Sequence, residues 1–427
     1  MTPTPHSART HDVVLWGATG FTGRLVAEYL ASHYGVGRDL RWALGGRNRK
    51  KLEAVRDGLL AVDPRASELP LLVGDGDDPS FLGGLAGSTR VVCTTVGPYA
   101  LHGHPLVSAC VEQGTAYCDL TGETQFVRQV IDRHHARAKE TGARIVNCCG
   151  FDSIPFDLGV LMVQDAMRAR HGVRCVEVKS FAGEMKGGVS GGTASSALNA
   201  VAEATSDKAV RRILGDPYAL DPDLRARGER GPDGGDQRGV RFDRDLGRWT
   251  GPFVMAAINT RVVRRSHALL GYPWGKDFRY SEATSFGPGP RGWMSAAAMS
   301  AGIGAFVGVA AISPLRGLLR RALPAAGEGP SKEARDAGYF KVRIVGIGEA
   351  RDGAPPPKLL GIVAGTSDPG YGETAKMLGE SAVCLAKDEL PPAGGVLTPA
   401  SAMGPKLLAR LRKAGMTFEV DELAARR

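Results

Sequence analysis

The feature that most restricts the fold is a glycine turn near the N-terminus, Gly17-Ala18-Thr19-Gly20-Phe21-Thr22-Gly23. It follows a short apolar run, Asp12–Trp16, of the kind that forms a buried parallel strand. It leads into Thr22–Tyr34, where Leu25, Val26, Tyr29 and Leu30 recur at helical spacing. Between strand and helix the three glycines have separate jobs. Gly17 permits the tight turn, Gly20 lets the backbone approach a ligand, and Gly23 allows the helix to pack closely on the sheet. The free N–H groups and positive dipole end of the helix then face whatever Thr19, Phe21 and Thr22 surround, which suits a pyrophosphate. The spacing, GxxGxxG, is a variant of the dinucleotide fingerprint and gains weight from its strand–turn–helix context.

That context repeats. Arg41–Gly45, Leu69–Val73, Arg90–Val96, Thr115–Asp119 and Ala143–Cys148 read as further strands. Arg49–Leu60, Ser80–Ala86, Pro105–Gln113 and Thr124–Thr141 read as the helices between them. Such alternation predicts an α/β fold, a Rossmann-type doubly wound parallel sheet, over residues 1–150. The chain has 427 residues, too many for that sheet alone. Beyond Gly150, Val173–Phe181 alternates as a strand and Thr193–Leu214 as a helix, while 215–249 is polar and irregular. Phe340–Gly346 and Leu359–Thr366 read as antiparallel strands, and Gly370–Ala386 as a helix. A second α/β domain with a mixed sheet, over 151–365, is expected for substrate binding or dimerisation.

The end of the second strand selects the cofactor. NAD-binding sheets place a carboxylate there for the ribose 2′-hydroxyl. This chain has Gly45-Gly46-Arg47-Asn48-Arg49-Lys50-Lys51 instead. Arg47 can fork onto a 2′-phosphate and stack on adenine, with Arg24 in support, so NADP(H) is favoured over NAD. Asp75 either accepts from the adenine amino group or caps a turn. Val96-Gly97-Pro98-Tyr99, after the fourth strand, should run beside the nicotinamide ribose.

Net charge narrows the partners. At +9 the chain suits a polyanion: a phosphate-bearing cofactor, an acidic carrier protein or an anionic membrane face. Zinc fingers, aromatic RNA-binding strands and blocks of Lys and Arg are missing, which argues against nucleic acid. The histidines are scattered and give no metal spacing. Seven cysteines without a CxxC pair, mostly in apolar surroundings, fit buried thiols in a reduced, cytoplasmic protein. The N-terminus lacks an apolar signal core. Residues Gly292–Leu315 carry no charge and are bracketed by Arg291 and Arg316. Their length would allow a membrane span, but Ala, Gly and Ser dominate, so a buried or interfacial amphipathic helix is expected, with a mobile lid as the remaining alternative. Two basic runs, Arg261-Arg264-Arg265 and Arg316-Arg320-Arg321, are read as solvated faces or docking points for an acidic carrier protein.

The segments VLWGATGFTGRLVAEYL, TTVGPYALHGHPLVSAC, YCDLTGE, GFDSIPFDLG, SGGTASS, NTRVVRRS, DPGYGETAKMLGES and GGVLTPASAMG together resemble the saccharopine-dehydrogenase-like oxidoreductases. Within that group the likeness is to the trans-acting enoyl reductases of actinobacterial polyketide and glycolipid pathways. The resemblance implies an NADP-binding Rossmann domain, a second α/β domain, and a last segment, 366–427, that returns to the first. It carries over Gly17, Gly20, Gly23, Arg47 and the Gly97-Pro98-Tyr99 loop as cofactor positions. It supplies no settled catalytic acid.

Reduction of an enoyl thioester needs a donor for the developing enolate and an acid for the α-carbon. Tyr99, His102 and His104, on one loop near the expected nicotinamide, are the catalytic candidates. Asp119, Thr121 and Glu123, and likewise Asp152 and Ser153, either bind substrate or cap helices. Ser190-Gly191-Gly192-Thr193 is a candidate cradle for a phosphopantetheine phosphate. The leading expectation is an NADPH-dependent enoyl reductase acting on a lipid or polyketide-type acyl chain held on a carrier protein. It would be cytoplasmic, with peripheral contact at the inner membrane face and a homodimer as open alternatives. One competing reading is a C–N oxidoreductase that holds a diacid with the Arg261 run. Another is a non-catalytic NADP-binding protein at a lipid surface.

Overall fold

A computed structural model describes residues 9–187, 191–221, 231–322, 329–351 and 353–424, without the side chains of 191–194 and 320–322. The Ser190–Thr193 cradle and the Arg320 and Arg321 side chains therefore lie outside the described residues.

The first 146 residues alternate as expected. The strands are β1 (His11–Trp16), β2 (Trp42–Gly46), β3 (Leu71–Val73), β4 (Thr89–Thr94), β5 (Ala116–Cys118) and β6 (Arg144–Val146). The helices between them are α1 (Phe21–Tyr34), α2 (Arg49–Gly58), α3 (Pro79–Ser88), α4 (Tyr99–Glu112) and α5 (Thr124–Thr141). α4 starts six residues earlier than the Pro105 boundary, because Pro105 sits inside the helix rather than at its first turn. The loop expected to carry Tyr99, His102 and His104 is thus helical.

The remaining elements build a second layer. α6 (Ile154–His171) leads to β7 (Cys175–Lys186), α7 (Gly191–Ser206), α8 (Lys208–Gly215), β8 (Arg241–Asp243) and β9 (Arg248–Gly251). Then come α9 (Ala256–Leu269), β10 (Arg279–Ser285), α10 (Pro290–Ala311), α11 (Ser313–Ala322) and α12 (Lys332–Asp336). β11 (Tyr339–Gly348), β12 (Lys358–Gly365), α13 (Thr374–Lys387), β13 (Gly395–Leu397), α14 (Pro399–Ala402), α15 (Gly404–Lys413) and β14 (Thr417–Glu422) complete the chain.

Two seven-stranded sheets result. The first runs β13-β6-β5-β4-β1-β2-β3, all parallel, with the chain reversing direction between β1 and β4. That reversal is the topological switch point at which α/β sheets bind ligands, beyond the carboxyl ends of their strands. The second runs β14-β12-β11-β7-β10-β9-β8 and is mixed, with only β7 and β10 parallel.

The segment 366–427 serves both sheets. β13 pairs with β6 of the first, whereas β14 pairs with β12 of the second. α13 is buried along almost its whole length. It is fastened to α1 by Glu380, whose Oε1 accepts from the hydroxyls of Tyr29 and Tyr34, both at 2.6 Å, while Arg410 reaches Oε2 at 3.2 Å. The seven cysteines are free and buried.

Two regions differ from expectation. Arg261, Arg264 and Arg265 are neither solvated nor available to a partner: all three are buried in α9. Arg264 donates to Asp233 Oδ2 at 2.7 Å and to the carbonyls of Pro217 and Tyr280. Arg261 pairs with Asp236 and Arg265 donates to the carbonyls of Leu220 and Val396. They tie residues 214–220, Asp233, Asp236 and β13 to one helix. In contrast, α10 is largely exposed, so of the buried and interfacial placements expected for it the buried one does not hold. Only Gly292, Ala296 and Ala310 are covered, and Gly292 and Ala296 are in close contact with Gly287 and Gly251 at the β9 edge. Trp293, Met294, Phe306, Val307, Ile312 and, in α11, Leu315 and Leu318 stand open to solvent. Among the described residues α10 is the one helix long and apolar enough to cross a membrane.

Candidate active site

The carboxyl ends of β1, β2, β3 and β4 open into a cleft of about 1760 Å³ that continues onto α7, α9 and α10. This exceeds an ordinary small-ligand pocket and leaves room for a dinucleotide and a second molecule together.

Its phosphate end is made by the glycine turn. Gly17 has φ +88°, a conformation that favours glycine. A Cβ there would fall 2.6 Å from Val96 Cγ2. Gly23 lies behind the turn, buried, where a Cβ would fall 2.2 Å from the Gly17 carbonyl oxygen and 2.9 Å from Ala18 Cα. Gly20 is different, since the nearest atom to a Cβ would be 3.4 Å away. Its face is open to the cleft. α1 has no side-chain cap and no acidic residue in its first turn, so its leading amides are left for a ligand. Thr19, Gly20, Phe21 and Thr22 line the cleft together with Gly17. Arg24 does not; it donates to the Thr19 carbonyl at 3.3 Å and braces the turn from outside. Tyr371 packs edge-on against Phe21, with ring centroids 5.1 Å apart, so the 369–374 segment closes over this end.

At the adenine end Trp16, Gly46, Arg47, Lys51, Asp75 and Gly76 face the cleft. Arg47 follows β2, Asn48 starts α2 by accepting from Lys51 N, and Lys51 stands in the first turn of that helix, with no carboxylate among residues 47–51. This donor set fits a 2′-phosphate. Asp75 Oδ1 takes the Asp77 amide, so one oxygen caps its own turn; the cap of α3 is Asp78.

The far end of the first sheet brings Val96, Gly97, Tyr99 and His102 to the cleft, with Pro98 capping α4 just behind them. Tyr99 is buried, and its hydroxyl donates to the Thr94 carbonyl at 3.2 Å. Burial pushes its pKa well above the ordinary phenol range. The ring forms the wall while the O–H is already committed, so an enolate could recruit it only by breaking that bond. His104 lies outside the cleft. It is half-buried, bonded through Nε2 to Gln129 Oε1 at 2.8 Å and tilted against Phe126, and burial lowers its pKa. Only His102 among the three candidates is exposed within the cleft.

The carboxylates after β5 are scaffolding. Asp119 is fully enclosed and accepts from Tyr117 Oη, Asn147 Nδ2, Thr121 N and Cys148 N. Glu123 holds the head of α4, accepting from Tyr99 N at 3.0 Å and Ala100 N at 2.8 Å, and also from Ser196 Oγ. Ser153 donates to Asn259 Oδ1. Asp152 is the exception in this group. It faces the cleft beside Phe151, Gly122 and Met255, and burial pushes its pKa up to about 6.

Beyond Asp152 the wall turns apolar. Ala197, Ala200, Val201, Met255, Ile258, Met299, Ile303, Phe306 and Val307 line it, with Arg211 at the rim. Sequence reasoning did not foresee α7 and α9 as walls. Their small residues give no periodic signal that separates a trough from a helix packing face.

Comparison with known proteins agrees with this geometry. Residues 13–146 match the saccharopine dehydrogenase NADP-binding domain family. Over its full length the chain is 44% identical to a Mycobacterium tuberculosis protein, itself covered completely, whose name of trans-acting enoyl reductase is provisional. It is 40% identical to the trans-acting enoyl reductase of Mycobacterium ulcerans, covering 97% of this chain and 99% of that one. Among solved structures, the saccharopine dehydrogenase (L-Glu forming) of Saccharomyces cerevisiae superposes with a TM-score of 0.51 at 14% identity, covering 96% of this chain and 99% of that chain. That last likeness is one of fold.

Proposed function

The chain belongs to the saccharopine-dehydrogenase-like family of trans-acting enoyl reductases, and on that premise we propose that it reduces the C=C bond of an enoyl thioester with NADPH. That it is an NADP-dependent oxidoreductase follows from the family and its cofactor domain. The observation that carries the finer reading is the unbroken passage from the dinucleotide cradle into an apolar trough walled by α7, α9 and α10.

NADPH, when bound, supplies a hydride. The chain's own residues do the rest. The glycine turn and the α1 amides fix the pyrophosphate end, and Arg47 with Lys51 fixes the 2′-phosphate end. Val96 and Gly97 then set the opposite end of the cleft at the mouth of the trough, where a thioester's double bond would meet the hydride donor. The apolar wall holds the acyl chain and keeps water from the reacting carbon. A chain carried on a phosphopantetheine arm would enter past the Arg211 rim.

The competing diacid reading loses the arginines assigned to it. A C–N oxidoreductase of that kind needs arginines facing the substrate, and Arg261, Arg264 and Arg265 are buried with partners of their own. The test is NADPH oxidation by the purified protein with 2-enoyl thioesters of rising chain length, beside imines formed from 2-oxo acids and amino acids. Turnover of the enoyl series, with KM falling roughly threefold or more per added pair of methylenes, is expected. Turnover of the imines alone would overturn the proposal.

The cytoplasmic, NADPH-supplied side of the membrane is the setting that we infer for this enzyme, with α10 and α11 as a peripheral contact. Residues 290–322 contain no Asp or Glu, and Arg291 and Arg316 flank the exposed apolar side chains. Apolar bulk rimmed by cations matches an anionic leaflet. Flotation with anionic vesicles should recover the protein, neutral vesicles should recover much less, and Trp293→Ser/Met294→Ser should weaken binding by about tenfold or more. Absence of flotation, or a stable dimer in solution that the same double substitution dissolves, would replace the membrane with a second copy of the chain.

A further inference from the structure

We propose that Asp152 is the proton donor of the reduction, delivering its carboxyl proton to the α-carbon of the substrate; the assignment rests on the enoyl-reductase reading above.

The other candidates are already engaged. The Tyr99 hydroxyl is bonded to the Thr94 carbonyl, His104 is turned onto Gln129, and Glu123 is occupied by two backbone amides and Ser196. Asp119 is closed off by four donors. Among the described residues Asp152 has no such hydrogen-bond partner. Its Oδ2 is 3.8 Å from where a Cβ on Gly122 would stand, a position that Met255 Cε approaches to 3.1 Å. It faces the cleft where the dinucleotide end meets the apolar trough.

The turn that presents it is held firmly. Phe151 N donates to Thr374 Oγ1 at 3.0 Å, Cys149 N donates to the Asp119 carbonyl at 2.7 Å, and Ser153 N donates to the Gly150 carbonyl at 3.2 Å. Cys148 is held at φ +65°, a conformation that costs energy for a residue with a Cβ. A carboxyl on so fixed a turn is pre-positioned rather than mobile.

Its environment suits an acid that must both hold and release a proton. Apolar neighbours favour the neutral form and push its pKa up to about 6. The positive end of α6, which starts two residues later, favours the carboxylate left behind. The other titratable groups around the turn are the Cys148 thiol, Asp119 and Glu123; across the cleft are His102 and Arg211. Hydride forms the new C–H bond at the β-carbon and the C=C π pair moves onto the thioester as an enolate. The enolate re-forms its carbonyl as the α-carbon takes the proton from the Asp152 O–H. The carboxylate regains a proton from solvent through the cleft mouth.

The experiment compares wild type, Asp152→Asn and Asp152→Glu in single-turnover reduction of an enoyl thioester, with product made in D₂O analysed for deuterium at the α-carbon. NADPH binding is measured separately. Asp152→Asn is expected to bind NADPH like wild type and to lose about 10²- to 10⁴-fold in turnover. The pH–rate limb near 6 should vanish with it, and Asp152→Glu should restore part of the rate. An active wild type whose Asp152→Asn variant keeps its rate and pH profile overturns the assignment alone. A wild type inert toward every enoyl thioester overturns the reaction reading and the assignment with it.

Discussion

Gly23→Ala is expected to remove NADPH binding at any concentration a fluorescence titration can reach, while the protein still folds. The added methyl has nowhere to go. It would stand 2.2 Å from the Gly17 carbonyl oxygen, 2.9 Å from Ala18 Cα and 2.9 Å from Thr95 Oγ1, which itself donates to the Gly17 carbonyl. Two of these neighbours are backbone and cannot swing aside, so the first turn of α1 must lift off β1. Overpacking of this kind costs about 1–3 kcal/mol of stability, which a core spanning both sheets can absorb. Binding fares worse. Charge-assisted hydrogen bonds to a pyrophosphate contribute about 1.5–3 kcal/mol each, and losing two of them weakens binding by roughly 10²- to 10⁴-fold. Gly58→Ala is the control: it has open space around it and helical φ, and should leave both properties unchanged. Equal NADPH affinity in Gly23→Ala and wild type would mean that the turn does not hold the phosphates.

The parts of this molecule that were legible in its sequence are those set by local rules. α5 runs from Thr124 to Thr141 as its periodicity indicates, and β1 and α1 flank the glycine turn as a buried strand followed by a helix must. The cofactor end of the cleft followed, because strand ends in a doubly wound sheet converge by topology. What was not legible depends on partners remote in the chain. Arg261 and Arg264 read as surface charge because Asp236 and Asp233, 25 and 31 residues away, lie in a segment with no regular pattern. A buried guanidinium is indistinguishable from a solvated one until its acceptors are placed. α10 shows the opposite failure. Its composition reports a lack of charge, but whether such a helix faces a core, a cleft or solvent is decided by what packs on it. Here small residues anchor one end on β9 and Ala310 is covered at the other, while most of the large side chains stay exposed.

The catalytic end was least legible, for the same reason. Tyr99, His102 and His104 are close in sequence, so they appeared to form one constellation. On a helix, residues three apart share a face and residues five apart do not. Tyr99 and His102 therefore reach the cleft and His104 turns to Gln129. Asp152, which sequence could only offer as cap or ligand, differs from the helix-capping carboxylates in facing the cleft with no amide to accept from among the described residues.

Arg47→Ala should reduce an NADPH-selective protein to one with at most a few-fold preference for NADPH over NADH. Arg47 is exposed at the end of β2, faces the cleft, and has Lys51 one helical turn away on the same side. With no carboxylate after β2 to hold a ribose 2′-hydroxyl, the preference rests on the two cations. A guanidinium forked onto a phosphate is the stronger of the pair, since it makes two aligned charge-assisted bonds where an ammonium acts as a point charge. Losing it should cost about 10- to 100-fold in NADPH affinity and leave NADH unchanged, while Lys51→Ala costs several-fold. Because both groups are open to solvent, the wild-type preference should also shrink as salt rises from low to several hundred millimolar, and the Arg47→Ala protein should show little of that dependence. Equal binding of both nucleotides by wild type, unmoved by Arg47→Ala or by salt, would show that the 2′-phosphate is not read at the end of β2.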